Sequence, residues 1–208
     1  MSVSEPIRNN KDVTALLDYY RKRDEYRNYC FLGFGFFTAL KVSDLIKIKW
    51  RDVYDFALDM FKVHIIIEKR GENRTIGLYL NKHLERIIHG YKEWLESSGS
   101  HLITPEQFLF KSRKGDNNHI TRQHAHRIVQ AAAESAGVSG VISCESMRKT
   151  FGYNAHKLGI STDIIMDMYS KKTYEAAKRY MGIEHEDFIS QDERDTAHKL
   201  ISSQIMDN

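Results

Sequence analysis

The chain has 208 residues, 41% of them hydrophobic and 28% charged, with a formal net charge of +3. That size buries a core without covalent staples, and the composition excludes a low-complexity chain or, with Cys30 and Cys144 as the only cysteines, a disulfide framework. No apolar run is long enough to span a bilayer and no charged-then-apolar leader is present, so the expected compartment is the cytoplasm, with no membrane partner.

Val13, Leu16, Leu17 and Tyr20 are spaced for one helix, and an apolar stretch over 26–40 predicts a second, longer one. Ser43 reads as the N-cap of a short helix in SDLIKIKW, with Asp44 in its first turn. The runs VHIII and RTIGL flank the polar KRGEN and read as a β-hairpin. A helix returns over 81–95, with Leu84, Ile87, Ile88, Tyr91 and Leu95 on one side. FLFKSRKGDNN reads as a short strand and a basic loop. Thr121 caps the helix RQHAHRIVQAAAESAG, which Gly137 ends. Further helices are expected over 146–158, 163–169, 174–181 and 187–205. The fold class is therefore α+β, mostly helical, with a small antiparallel β-sheet or hairpin. One domain is expected, with its core over about 11–183 and a helical tail over 184–208.

Basic residues cluster in RKRDEYR, KIKWR, EKRGENR and KSRKG, which permits double-stranded DNA as a partner. The tail carries Phe188, Ile189, Ala197, Leu200, Ile201 and Ile205 on one helical stripe. It docks either on its own domain or on a second copy, so self-association is an expectation. No metal is expected. His124 and His126 are two apart on a helix and cannot share an ion, and neither cysteine has a CxxC partner. Cys144 has no helper base nearby in sequence and reads as a small buried hydrophobe. GFGF at 33–36 lacks the spacing of a phosphate loop and lies inside an apolar helix.

Four segments together resemble the tyrosine recombinases of the phage-integrase type. TALKVSDLIKIKWRDV is similar to the segment holding that family's first arginine, and EKRGENRTIGL to its lysine hairpin. MRKTFGY looks like its second-arginine element, and KKTYEAAKRYMGI like the stretch ending at its nucleophilic tyrosine. The resemblance implies a catalytic-domain fold that cuts DNA through a 3′-phosphotyrosyl link, with no metal or nucleotide cofactor. It assigns the nucleophile to Tyr180, the second arginine to Arg148 and the hairpin lysine to Lys69. Family members usually carry a separate DNA-gripping domain ahead of this one, and here it is expected to be absent.

Three family positions are altered. Lys41 stands at the first arginine, Glu145 at the first histidine and Lys171 at the second. Lysine keeps the charge at 41 but loses the planar bidentate fork. A carboxylate at 145 about 4 Å from a phosphate costs on the order of 4 kcal/mol at an effective dielectric near 20. Glu145 is therefore expected to pair with Lys41 or Arg148 and hold the old phosphate pocket together. The implied function is a DNA-binding relative with impaired cutting, acting in mobile-element or prophage DNA transactions or regulation. The alternative is an active recombinase with a rebuilt site. DNA contacts are expected from Lys41, Lys69, Arg70, Arg74, Lys111, Arg113, Lys114, Arg122, His126, Arg148 and Lys171.

Overall fold

A computed structural model describes residues 4–69, 74–99 and 103–183. Its elements in chain order are α1 (Asn10–Arg21), α2 (Tyr26–Phe37), α3 (Val42–Leu45), α4 (Trp50–Val53), β1 (Tyr54–Asp55), β2 (Met60–Phe61), β3 (His64–Lys69), β4 (Arg74–Tyr79), α5 (Lys82–Ser97), α6 (Arg122–Ser135), α7 (Cys144–Lys157), α8 (Thr162–Tyr169) and α9 (Tyr174–Met181). The expected tail helix and Arg70 lie outside the described residues. The fold class is as expected: helices with small antiparallel sheets, β1 pairing with β2 and β3 with β4. The β3–β4 register runs from His64 opposite Tyr79 to Lys69 opposite Arg74.

Three local readings change. The second helix stops at Phe37, because Thr38 is extended and its hydroxyl donates to the Phe34 carbonyl at 2.6 Å. Ser43 sits inside α3, whose N-cap is Lys41. The segment FLFKSRKGDNN makes two isolated antiparallel bridges, Lys49 with Phe108 and Lys111 with His119, instead of a strand. The Asn117 side chain replaces a ladder there, accepting from Phe108 N at 3.1 Å and donating to the Glu106 carbonyl at 2.9 Å.

α2 is apolar on all sides and lies at the centre of the main core. The glycines of GFGF let neighbours approach it on two faces. A Cβ on Gly33 would stand 2.9 Å from Ile87 of α5, and one on Gly35 would stand 2.5 Å from Met147 of α7. Phe110 closes this core edge-on against Phe31 and Phe34. A second, smaller cluster gathers Ala39, Tyr153, Ala155, Ile165, Tyr169, Ala177, Met181 and Ile183. α7 belongs to both, with Met147 in the first and Tyr153 in the second.

An N-terminal strap ties the small cluster down. Ile7 N donates to Thr150 Oγ1 at 2.8 Å, Lys149 Nζ donates to the Ser4 carbonyl at 2.6 Å, and Arg8 Nη2 donates to the Gly182 carbonyl at 2.8 Å. These bonds fix residues 4–8 across α7 and the C-terminal end of α9.

Arg27 pins the basic loop after Phe110. It donates to the Lys111 carbonyl at 2.8 Å, and its Nη2 lies 3.1 Å from His124 Nε2. Burial, and then the Arg27, Arg127 and Arg113 charges, lower the His124 pKa.

Two outcomes are expected. Gly152 in α7 faces α8 and α9, and a Cβ there would lie 2.6 Å from Tyr169 Oη and 2.8 Å from Met181 Sδ. Gly152→Ala should therefore lose about 1–2 kcal/mol despite its better helix propensity, a melting-point drop of about 2–8 °C by calorimetry. For His124, a folded pKa below the unfolded value means that its contribution is complete above about pH 6.5 and falls as the pH drops from there toward the folded pKa. The melting-point loss between pH 7.5 and 5.5 should be smaller in His124→Gln than in the wild type.

Candidate active site

α7 sets the geometry. Ser143 Oγ accepts from Glu145 N at 3.2 Å, and Ser146 Oγ accepts from Ser143 N at 3.1 Å, which fixes the first turn. Glu145 lies in that turn, where a carboxylate suits the helix dipole, and Arg148 follows on the same face three residues later. Arg148 is only 6% exposed and sits where the two core clusters meet.

The Arg148 guanidinium joins three segments. Nε donates to the Ala39 carbonyl at 2.6 Å, Nη1 to Tyr180 Oη at 2.8 Å, and Nη2 reaches the Met168 carbonyl at 3.4 Å. Tyr169 stacks on it at 4.5 Å and donates from its hydroxyl to the Arg148 carbonyl at 2.7 Å. Tyr180 is carried by α9, which Thr173 caps by accepting from Ala176 N at 3.2 Å.

The Tyr180 hydroxyl donates to Glu145 Oε1 while accepting from Arg148. Glu145 Oε1 also lies 3.9 Å from Arg148 Nη1, so it meets Arg148 as expected, although its direct hydrogen bond is with the tyrosine. Burial first, and then the Glu145 hydrogen bond, push the Tyr180 pKa up against the lowering effect of Arg148. Tyr180 is therefore a neutral phenol at pH 7. Lys171 Nζ lies 4.3 Å from its ring centroid and Lys149 Nζ 5.5 Å from it. Lys149 is buried, and burial lowers its pKa against the raising effect of Glu145 and Glu5, with Lys171 adding a smaller lowering.

The other residues singled out from the sequence divide into groups. Lys41 is exposed, two residues beyond the Ala39 carbonyl that Arg148 holds. Lys69 ends β3 opposite Arg74, the first residue of β4. Arg113, Lys114, Arg122 and His126 are exposed and Lys111 is partly buried. Two cations of KIKWR are engaged elsewhere: Lys49 Nζ donates to Glu106 at 2.7 Å, and Arg51 pairs with the same carboxylate. Cys144 is partly buried, and burial pushes its thiol pKa up to about 12, which makes it inert as a nucleophile. Among the described residues, no group of three or more His, Cys, Asp or Glu could hold a metal ion, and no helix is long and apolar enough to cross a membrane.

The profile of the phage integrase family matches residues 8–186. The chain belongs to that family. Among its relatives, the "Probable integrase/recombinase YoeC" of Bacillus subtilis is 23% identical over 186 residues, covering 89% of this chain and 93% of that protein. The type 1 fimbriae regulatory protein FimB of Escherichia coli K12 is 28% identical over 141 residues, covering 68% of this chain and 66% of that one. The crystal structure of XerA recombinase superposes with a TM-score of 0.68 at 15% identity, over 97% of this chain and 64% of that one. The XerH site-specific recombinase bound to its difH substrate in a pre-cleavage complex gives 0.65 at 17% identity, over 86% and 50%. At these identities the solved structures establish the fold alone, and this integrase-family chain spans about half to two thirds of their length.

Sequence reasoning missed Tyr169, the Ala39 and Met168 carbonyls, and Lys149. One local sign was available. Ser170 stands at φ +54°, in the left-handed region, where the resembled motif begins with glycine.

Arg148→Lys keeps a cation but cannot serve Ala39, Tyr180 and Met168 together. The expected loss is about 2–3 kcal/mol from polar groups left unpaired, measured by urea unfolding.

Proposed function

We propose that this chain binds duplex DNA and retains phosphotyrosyl cutting and rejoining through Tyr180, slowed by the changes at Lys41 and Glu145. The observation that carries this reading is the 2.8 Å hydrogen bond from Arg148 to the Tyr180 hydroxyl. It keeps nucleophile and buried cation in register, and pre-set orientation is a large part of what such a site supplies. A domain that only holds DNA needs basic surface and gains nothing from this alignment. Family membership supports DNA as the partner, and the neighbour XerH is described as bound to its difH substrate. In this reading Arg148 and Lys171 lie beside the scissile phosphate. Lys41 supplies charge without a fork, and the resemblance gives Lys69 the task of protonating the departing 5′ oxygen.

A second reading is a DNA-holding relative that no longer cuts and acts in mobile-element or prophage regulation. It is favoured by the Glu145 carboxylate, which lies 3.9 Å from Nη1 of Arg148, the cation that the cutting reading sets beside the phosphate. Its repulsion, on the order of 4 kcal/mol, equals roughly a thousandfold in rate.

A covalent-capture assay separates the two. Nicked suicide duplexes drawn from the flanking genomic sequence are mixed with the protein and run on a denaturing gel. The proposal expects a DNA-linked band that Tyr180→Phe abolishes. A salt-sensitive native shift with no covalent band would favour the DNA-holding reading. For about four phosphate contacts, affinity should fall about a hundredfold between about 50 and about 200 mM salt.

A further inference from the structure

We infer that Glu145 is the proton acceptor for Tyr180, a catalytic residue and not merely a defect. The inference rests on the phosphotyrosyl reading above. Its observation is the hydrogen bond that the Tyr180 hydroxyl donates to Glu145 Oε1.

The carboxylate is placed for this task. The α7 cap fixes its backbone through the 3.2 Å bond from Glu145 N to Ser143 Oγ. Its side chain is 44% exposed, so the carboxylate stays hydrated and can shift as DNA enters. Arg148 Nη1 approaches the phenol oxygen at 2.8 Å and directs its proton away from the guanidinium, toward the carboxylate. Among the described residues, the Tyr180 hydroxyl bonds to one carboxylate, that of Glu145. The lysines nearest its ring, Lys171 and Lys149, are donors when charged.

A free phenol is far less acidic than a carboxylic acid, so no proton moves at rest. That changes as the phenol oxygen bonds to phosphorus, because its electron density is drawn away and the remaining proton becomes strongly acidic. The step balances as follows. The Tyr180 oxygen forms a bond to phosphorus, its proton passes to the Glu145 carboxylate, and the bond from phosphorus to the 5′ oxygen breaks. The 5′ oxygen takes a proton from a neighbouring ammonium, the task the resemblance gives to Lys69. Rejoining reverses each transfer, with the Glu145 carboxylic acid returning its proton to the departing phenolate.

The same transfer answers the electrostatic objection. Glu145 is anionic while the phosphate approaches and neutral once the phosphorane forms. The repulsion therefore weighs on DNA binding and fades as the transition state is reached, which is differential stabilisation in the useful direction.

The test compares covalent capture across pH in the wild type, Glu145→Gln and Glu145→His, with thermal melts confirming that each variant folds. Glutamine fits the space but accepts no proton, so its band should fall about a hundredfold or more, the usual scale for general-base removal. Histidine accepts a proton and should restore most of the band. Its pH profile should differ in shape from that of the wild type, because imidazole and carboxyl groups exchange their protons in different pH ranges. A second readout needs no DNA. Removing the carboxylate should lower the Tyr180 titration, read as phenolate absorbance after subtraction of Tyr180→Phe.

A wild-type band that Glu145→Gln leaves equal or increases overturns this role while the phosphotyrosyl reading stands. A band in Glu145→His with none in the wild type makes Glu145 the defect, which overturns the role and leaves the rest of the site competent. No band in any variant overturns both. An unchanged Tyr180 titration in Glu145→Gln overturns the hydrogen bond on which the role depends.

Discussion

The buried guanidinium of Arg148 is the constraint on which the rest of the site depends. A cation that is 6% exposed persists only when its donors are spent on good acceptors. Here the acceptors come from three separate segments: the Ala39 carbonyl before α3, the Met168 carbonyl in α8 and the Tyr180 hydroxyl in α9. Satisfying one arginine therefore sets the mutual positions of these segments. The Tyr180 hydroxyl is placed by the same interaction that solves a burial problem.

Charge balance around that centre is local. Arg148, Lys149 and Lys171 surround the Tyr180 ring, with Glu145 as the anion at its hydroxyl. Without an anion nearby, three cations around one phenol would repel each other across a partly dry space. Glu145 supplies it, bonded to the Tyr180 hydroxyl and close to Arg148. The residue that departs most in charge from the resembled family's pattern is thus also the one that balances these cations.

Much of this was legible before any coordinates. Thr121 caps α6 through its side-chain bond to His124 N, the boundary expected from residue type and apolar spacing, and α5 begins one residue after its expected start, with Asn81 as its cap. α9 runs over the expected residues, and Tyr180, Arg148 and Glu145 meet in space. What stayed hidden has no local pattern. Two-residue strands such as β1 and β2 are too short to show alternation. The halt of α2 at Thr38 depends on one hydroxyl bond to a carbonyl four residues back. Two of the three acceptors of Arg148 are backbone carbonyls, which every residue carries. The glycines of GFGF, unsuited to phosphate, serve helix packing on two faces, a use that only the neighbours Ile87 and Met147 reveal.

The strap over 4–8 has a consequence for how the molecule comes into being. Its bonds from Ile7 to Thr150 and from Arg8 to Gly182 join residues 143 and 174 positions apart. Contacts at such separations close late, after the local helices and the main core have formed. During synthesis the strap emerges before the helices it ties down and waits for them before it finds its partners. A chain stalled before Gly182 cannot complete the bond from Arg8 to the end of α9. Docking of α9, and with it the placement of Tyr180 beside Arg148, is thereby coupled to contacts that span most of the described chain.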